Sequence, residues 1–459
     1  MEQMEQRKSI LQKHNHQPLV FLFSNASNFE DSKQNPQTHA LPEIKTLNKY
    51  NMKVLIISYF FIPSTSANAK RPYYIAKGLL DAGWDVDVLS SDSLLPENPN
   101  ELLDHPNFTI HRIKDPYFIL NDKIPTLFRK IMMMLVRGLL WPDPYLLWSL
   151  KIIRKINTSQ YDRIFVCIMP ISLIIFSLFK KVTSSWVFDY SESYSPKRVV
   201  GRKSPLYYIM KPFLAHFQRR ILKKSGPVLF TSEVAIKDYL KYKLLDANKA
   251  ISIPLFFNNL DYKGGILSKN HFIITYTGVF GIGREKRSPL VFFQALKLFL
   301  KENPEAQNQT KFIFYGRWRE RDTPLISKYK LEKIVQINSA VPLVHYLKVL
   351  ESSAVLLLIT DESDNMFVPS KMLDYFGAKR PILAFVPSNS ETYSILKNAK
   401  MNTFHAEPTD PEKGSKCLED LWKKWKNGNL SCDNSQANQW SFSFQMPKIL
   451  AILNKKGKS

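Results

Sequence analysis

Short apolar runs alternate with helical stripes along most of the chain. Val54 to Ser58 reads as a buried parallel strand, Asn68 to Ala82 as a helix with Ile75, Ala76, Leu79 and Leu80 on one face, and Val86 to Ser90 as the next strand. The three make one βαβ unit. Phe108 to Arg112, Ile164 to Met169, Trp186 to Asp189 and Val228 to Thr231 supply further strands, with helical stretches predicted at 127–155, 171–180 and 205–224. Alternation of this kind marks an α/β layer.

A second alternation begins after the turns at Asn258-Asn259 and Gly264-Gly265. Phe272 to Thr277, Lys311 to Tyr315, Ile334 to Asn338, Ala354 to Ile359 and Pro381 to Phe385 are its strands, and a helix is predicted at Pro289 to Glu302, capped by Ser288. Two successive α/β layers imply a ligand cleft at the carboxyl ends of both sheets. The expected division is an extension over 1–51, an N-terminal Rossmann-like domain over 52–258, a C-terminal Rossmann-like domain over 270–430, and a closing helix over 436–455 that returns to the first domain. That helix carries apolar residues at helical spacing from Trp440 to Leu453, interrupted by Pro447. No fixed-period repeat or heptad pattern is present.

Composition changes this picture in a few places. A chain of 459 residues, 44% hydrophobic, can bury two cores. Residues 1–51 are polar and lack the pattern of a signal peptide, and Met52 directly precedes the first strand, so it is a candidate biological start. The apolar stretch from Ile164 to Phe179 falls short of the roughly 20 residues of a membrane span and is divided by Pro170, so it reads as a buried strand and a buried helix. Cys167, Cys417 and Cys432 show neither zinc nor disulfide spacing, which suggests a reducing compartment. The nine histidines have no metal-ligand spacing, and there is no GxSxG nucleophile elbow. Asp85-Val-Asp87 lies inside a strand, where it is not expected to hold a metal. A net charge of +24 calls for an anionic partner: phosphorylated substrate, acidic membrane or nucleic acid.

One segment carries chemistry directly. Val368-Pro-Ser-Lys-Met-Leu-Asp-Tyr-Phe-Gly-Ala-Lys-Arg-Pro opens a helix at about Ser370 and closes it near Gly377. A helix N-terminus offers unpaired N–H groups and partial positive charge to a diphosphate, and Lys371 adds a full charge. Asp374, one turn on and on the same face, can reach ribose hydroxyls. The plainer alternative is a capped surface helix.

This segment, 368–384, resembles the nucleotide-sugar-binding helix of glycosyltransferase family 4 and its GT-B-fold relatives. "ITYTGVFGIGREKRSPLVFFQALKLF" at 274–299 is similar to that family's first C-terminal strand, basic loop and helix. In the first half "MKVLIISYFFIP", "SANAKRPYYIAKGLLDAGWDVDVLSS", "WPDPYLLW", "YDRIFVCIMPIS", "WVFDYSESY" and "LFTSEVAIKDYL" resemble further landmarks in the same order. The resemblance spans about 52–453. It implies a GT-B fold, an α/β architecture of two doubly wound Rossmann-like domains facing across a cleft.

It also implies site residues. Arg284, Lys286 and Arg287 stand where the family places cations on the donor diphosphate, with Ser370, Lys371 and Asp374 completing the donor site. Cations there stabilise the departing nucleoside diphosphate without a metal; a solvated basic loop is the alternative. Ser66, Ala67 and Arg71 form the acceptor loop, Ser66-Ala67 replacing the family's Gly-Gly pair. The paired glutamates are reduced to Asp374, with Met366 at the earlier position and Asp361, Glu362 or Asp364 nearby. Where the family often has a histidine this chain has Pro170-Ile171-Ser172, and Asp189 and Glu192 are the nearest catalytic, acceptor-orienting carboxylates; alternatively they cap a helix or pair with basic side chains.

The activity implied is a hexosyl- or related transferase, retaining and cofactor-free, moving sugar from a nucleotide-diphosphate sugar to a lipid-linked or polysaccharide acceptor in surface-glycan synthesis such as lipopolysaccharide or capsule. Arg129, Lys130 and Arg137 interleave with apolar residues up to Trp141. Such a helix can lie on an anionic membrane surface or cover the first sheet. The expected location is cytoplasmic, peripheral on the inner face of the plasma membrane. A non-catalytic GT-B scaffold and a nucleotide-sugar epimerase are the alternatives. Nucleic acid is not an expected partner, since no aromatic-basic strand motif is present.

Overall fold

The structure, a computed structural model, describes residues 52–455 except 65, 94, 96–103, 116–139, 192–193, 195–204, 282–286, 361–367, 402, 431 and 433–434. The first half contains β1 (Lys53–Ile57), α1 (Lys70–Asp81), β2 (Asp85–Ser91), β3 (Phe108–Ile113), α2 (Leu146–Lys155), β4 (Arg163–Cys167) and α3 (Leu173–Phe176). It continues with β5 (Trp186–Tyr190), α4 (Pro205–Lys224), β6 (Val228–Phe230), α5 (Glu233–Lys241) and β7 (Ala250–Ser252). The second half contains β8 (Phe272–Gly278), α6 (Leu290–Glu302), β9 (Thr310–Gly316), α7 (Thr323–Lys328), β10 (Val335–Asn338) and α8 (Leu343–Ser352). Then follow β11 (Val355–Ile359), α9 (Ser370–Ala378), β12 (Ile382–Phe385), α10 (Glu391–Ala399), β13 (Thr403–Ala406), α11 (Pro411–Lys426) and α12 (Phe442–Asn454).

Both sheets are parallel throughout. The first runs β3-β2-β1-β4-β5-β6-β7 and the second β10-β9-β8-β11-β12-β13. In each, the chain winds outward from its first strand to one side and then, after a switch, to the other. This is the doubly wound order, and it places the switch points between β1 and β4 and between β8 and β11. Central strands such as VLLLI of β11 are buried along their whole length, as a parallel sheet covered on both faces requires.

The apolar stripes divide accordingly. One core lies under α2, α4 and α5, around Trp148, Phe188 and Tyr239. The other face of the first sheet packs Ile75 and Leu79 of α1 against Phe442, Met446, Ile449 and Leu453 of α12. The second sheet has its own pair of cores, around Phe292, Phe312 and Trp422 on one face and Leu356, Phe376 and Trp440 on the other. α12 is tied down at both ends. Phe442 N–H donates to the Phe257 carbonyl at 2.7 Å, and Arg163 at the start of β4 donates to the Leu453 and Lys455 carbonyls at 2.7 and 2.9 Å. A cation on the orphan carbonyls of a helix C-terminus is favourable.

Differences from the sequence expectations have local causes. The predicted helix 127–155 is described only from Leu146, because Pro142 and Pro144 hold off its start, and 127–139 lies outside the described residues. Ser288 does accept a hydrogen bond from Leu290 N–H at 3.3 Å, but the helix begins at Leu290. The run 164–179 is a strand, a short helix and a 3-10 turn, and no helix among the described residues is long and apolar enough to cross a membrane. Pro447 sits within α12.

Candidate functional site

The site forms at the switch point of the second sheet. β8 ends at Gly278 and β9 at Gly316, and the two glycines are register neighbours. Gly278 has φ +100° and Gly316 φ +142°, backbone that side-chain-bearing residues rarely adopt. A β-carbon on Gly316 would lie 2.1 Å from the Gly278 carbonyl oxygen, so the two strand ends are in backbone contact. Gly316→Ala is therefore expected to lower the unfolding free energy by about 1–3 kcal/mol in a urea titration; an unchanged midpoint would mean that this rim relaxes.

α9 follows β11 and aims its first turn at the same rim. Its N-cap is Pro369, which supplies no side-chain cap, and Met372, Leu373, Tyr375 and Phe376 anchor its inner face in the core. That anchoring turns Lys371 toward the strand ends. Its ammonium donates to the Thr277 carbonyl at 2.6 Å and stands 3.7 Å above the Tyr276 ring, which stacks on Phe280. Desolvation pushes the Lys371 pKa well below the ordinary lysine value; the charge of Arg287 pushes the same way and Asp374 opposes it. Three of the donor-site residues read from sequence, Arg287, Lys371 and Asp374, thus share one electrostatic neighbourhood, with Ser370 as the first residue of α9.

Asp374 is already engaged. Its Oδ2 accepts from Lys70 Nζ and from Tyr346 OH, both at 2.7 Å. Lys70 begins α1, which follows β1, so the carboxyl ends of the two sheets meet at this ion pair.

On the first-domain side Ser66 accepts from Asn68 N–H at 3.3 Å and opens the 3-10 turn Ala67–Ala69 that leads into α1. Arg71 and Asp189 meet each other, the pairing with a basic side chain that the sequence left open for Asp189. Arg71 Nε and one terminal nitrogen donate to the two carboxylate oxygens of Asp189 at 2.8 and 2.9 Å, and its remaining donors meet the Pro254 and Ile253 carbonyls. Both side chains are buried, at 6% and 1% exposure. An acceptor-orienting base must present its oxygens to ligand, so Asp189 is here the partner of Arg71, and the pair braces α1 to β5 and to the segment that leaves the first sheet.

A carboxylate the sequence reading passed over is Asp143, ahead of α2. It accepts from Ser172 N–H at 2.8 Å and Tyr145 N–H at 2.9 Å, beside the Pro170–Ser172 turn after β4. Burial raises its pKa from 3.8 to about 6. Between those values the folded chain holds more protons than the unfolded one, so stability falls as pH rises through that window. Asp143→Asn is expected to flatten that slope in denaturation measured from pH 4 to 7. The sequence signal for Asp143 was its place between two prolines in the segment WPDPYLLW.

Arg284, Lys286 and Glu192 lie outside the described residues, as do Asp361, Glu362, Asp364, Met366 and the basic segment 127–139. Asp87 accepts from Tyr161 OH at 2.7 Å and pairs with Lys53 at 3.2 Å. Among the described residues no group of three or more His, Cys, Asp or Glu is placed to hold a metal ion.

No protein-family model matches the sequence, and no curated protein matches it either. Solved structures do match in fold. Sucrose-phosphate synthase from Thermosynechococcus elongatus aligns with TM-score 0.57 and 14% identity over 88% of this chain and 99% of that one. WaaG, a glycosyltransferase involved in lipopolysaccharide biosynthesis, aligns with TM-score 0.55 and 13% identity over 88% of this chain and 100% of its own. HepE of Anabaena, solved in complex with UDP-glucose, aligns with TM-score 0.56 and 14% identity over 88% and 100%. The class defined by the fold is thus GT-B: two Rossmann-like domains with parallel sheets of seven and six strands. Of the structural neighbours named, one is a sucrose-phosphate synthase, one is a glycosyltransferase, and HepE was captured with UDP-glucose.

Proposed function

We propose that the protein is a glycosyltransferase that binds a nucleotide-diphosphate sugar at the mouth of α9 and transfers the sugar to a lipid-linked or polysaccharide acceptor held by the first domain. The observation that carries this reading is Lys371, a desolvated cation between the end of β8 and the N-terminus of α9, with Asp374 one turn further on. A diphosphate there would meet Lys371, Arg287 and the first amides of α9, and ribose hydroxyls would meet Asp374. The glycine rim lets the ligand approach backbone. Charge leaving with the nucleoside diphosphate would be stabilised by these cations and the helix terminus, with no metal required. Arg284 and Lys286 belong to the same basic loop in sequence.

The wider proposal is a retaining transfer in surface-glycan synthesis, at the anionic inner face of the plasma membrane, with Ser66-Ala67 at the acceptor side and Glu192 as a remaining acceptor-orienting candidate. The likeness of fold to WaaG and HepE supports the donor class; the net charge of +24 supports the membrane surface.

A thermal-shift screen of the full chain against UDP-, GDP-, ADP-, CMP- and dTDP-sugars, with and without EDTA, tests the reading. Stabilisation by one nucleotide class that persists in EDTA and is lost in Lys371→Ala is the expected result. No shift with any donor would favour a non-catalytic scaffold, and conversion of the nucleotide sugar without acceptor would favour an epimerase.

A further inference from the structure

α1 carries two polar groups one turn apart toward the second domain and the segment before it. Lys70 holds Asp374 on α9, and Tyr74 OH donates to Asp261, which Asn258 Nδ2 also holds at 2.7 Å. The Lys70 contact is partly shielded: the side chains are 23% and 13% exposed, and the ammonium lies 4.2 Å above the Tyr346 ring. Tyr346 belongs to the same domain as Asp374, whereas Lys70 reaches it from a position 304 residues earlier in the chain.

A carboxylate recognises a vicinal diol by giving an oxygen to each hydroxyl. Oδ2 of Asp374 already serves both an ammonium and a phenol, so a diol needs one of them to leave. Tyr346 is fixed on α8; Lys70 sits on a flexible four-carbon stem at the start of α1.

We propose that Lys70 is an intramolecular competitor for Asp374: the first domain keeps the ribose-binding carboxylate of the second domain occupied, and a nucleotide binds by displacing it. The proposal rests on the donor reading above. It makes Lys70 a determinant of donor affinity that acts only on the ribose end of the ligand. Displacement also removes a contact between α1 and α9, so donor occupancy is coupled to how the two sheet edges are held.

Titration calorimetry with UDP, GDP and inorganic pyrophosphate on wild type, Lys70→Met and Lys70→Arg tests it. Lys70→Met is expected to bind the preferred nucleoside diphosphate about fivefold more tightly than wild type, with pyrophosphate unchanged and Lys70→Arg close to wild type. If methionine prevents folding, Lys70→Gln should show the same tightening. Nucleotide affinity that is equal or weaker in the variant, or pyrophosphate that tightens by the same factor, overturns the competition while leaving the donor site intact. Absence of nucleoside diphosphate binding in every form removes the donor reading and the competition together.

Discussion

Asp189→Ala should lower the unfolding free energy by about 3–5 kcal/mol, with Arg71→Ala at least as costly. Both oxygens of Asp189 accept from Arg71, and the carboxylate is 1% exposed, so neither partner can turn to water when the other is removed. Arg71 has the wider reach. It also donates to the Ile253 and Pro254 carbonyls, and its guanidinium lies 5.4 Å from the centre of the Phe256 ring. Its loss would leave buried carbonyls unpaired as well as a buried anion. Chemical denaturation of the two single variants and of Arg71→Met with Asp189→Leu separates the terms. The double variant is expected to be more stable than either single one, because an apolar pair leaves no uncompensated charge. If Asp189→Ala kept full stability and lost activity alone, the carboxylate would be a ligand group after all.

Lys371→Met is expected to do the opposite: weaken nucleoside diphosphate binding by about 2 kcal/mol, roughly thirtyfold, while leaving stability unchanged or higher. A buried cation whose pKa is depressed chiefly by desolvation is a burden on the folded state. The unfolded chain holds the Lys371 proton up to the ordinary lysine value of 10.5, and the folded chain releases it earlier, so this residue makes wild-type stability rise with pH across that interval. The methionine variant should lack that rise. Binding a diphosphate favours the charged form, so above the depressed pKa of Lys371 wild type should take up a proton on binding and lose affinity as pH rises. Calorimetry in two buffers of different ionisation enthalpy reads the proton directly. Parallel loss of stability and binding in the variant would make Lys371 a structural residue.

Much of the fold was legible because parallel strands buried on both faces are near-continuous apolar runs. Eleven of the thirteen strands among the described residues are legible, most as such runs and the edge strands β3 and β10 as stretches in which apolar and polar residues alternate, FTIHRI and VQIN. The two that escaped, β7 and β13, are short edge strands, AIS and TFHA, each with a single large apolar residue and so no run to read. The α9 segment was legible for a different reason. Its Pro-Ser-Lys start, apolar inner face and Asp one turn on are local features, and a helix N-terminus carries its chemistry wherever it is folded.

The sequence by itself determined the two α/β layers and the helix that carries a cation and a carboxylate one turn apart. Each depends on residues within a few turns of one another. Tertiary structure alone decided the partners. Arg71 and Asp189 lie 118 positions apart, and Lys70 and Asp374 lie 304 apart. A carboxylate in a sequence looks the same whether it will face ligand, a buried guanidinium or a lysine from another domain. Its role is set by which charge the fold brings within hydrogen-bond reach and by how much water remains around both.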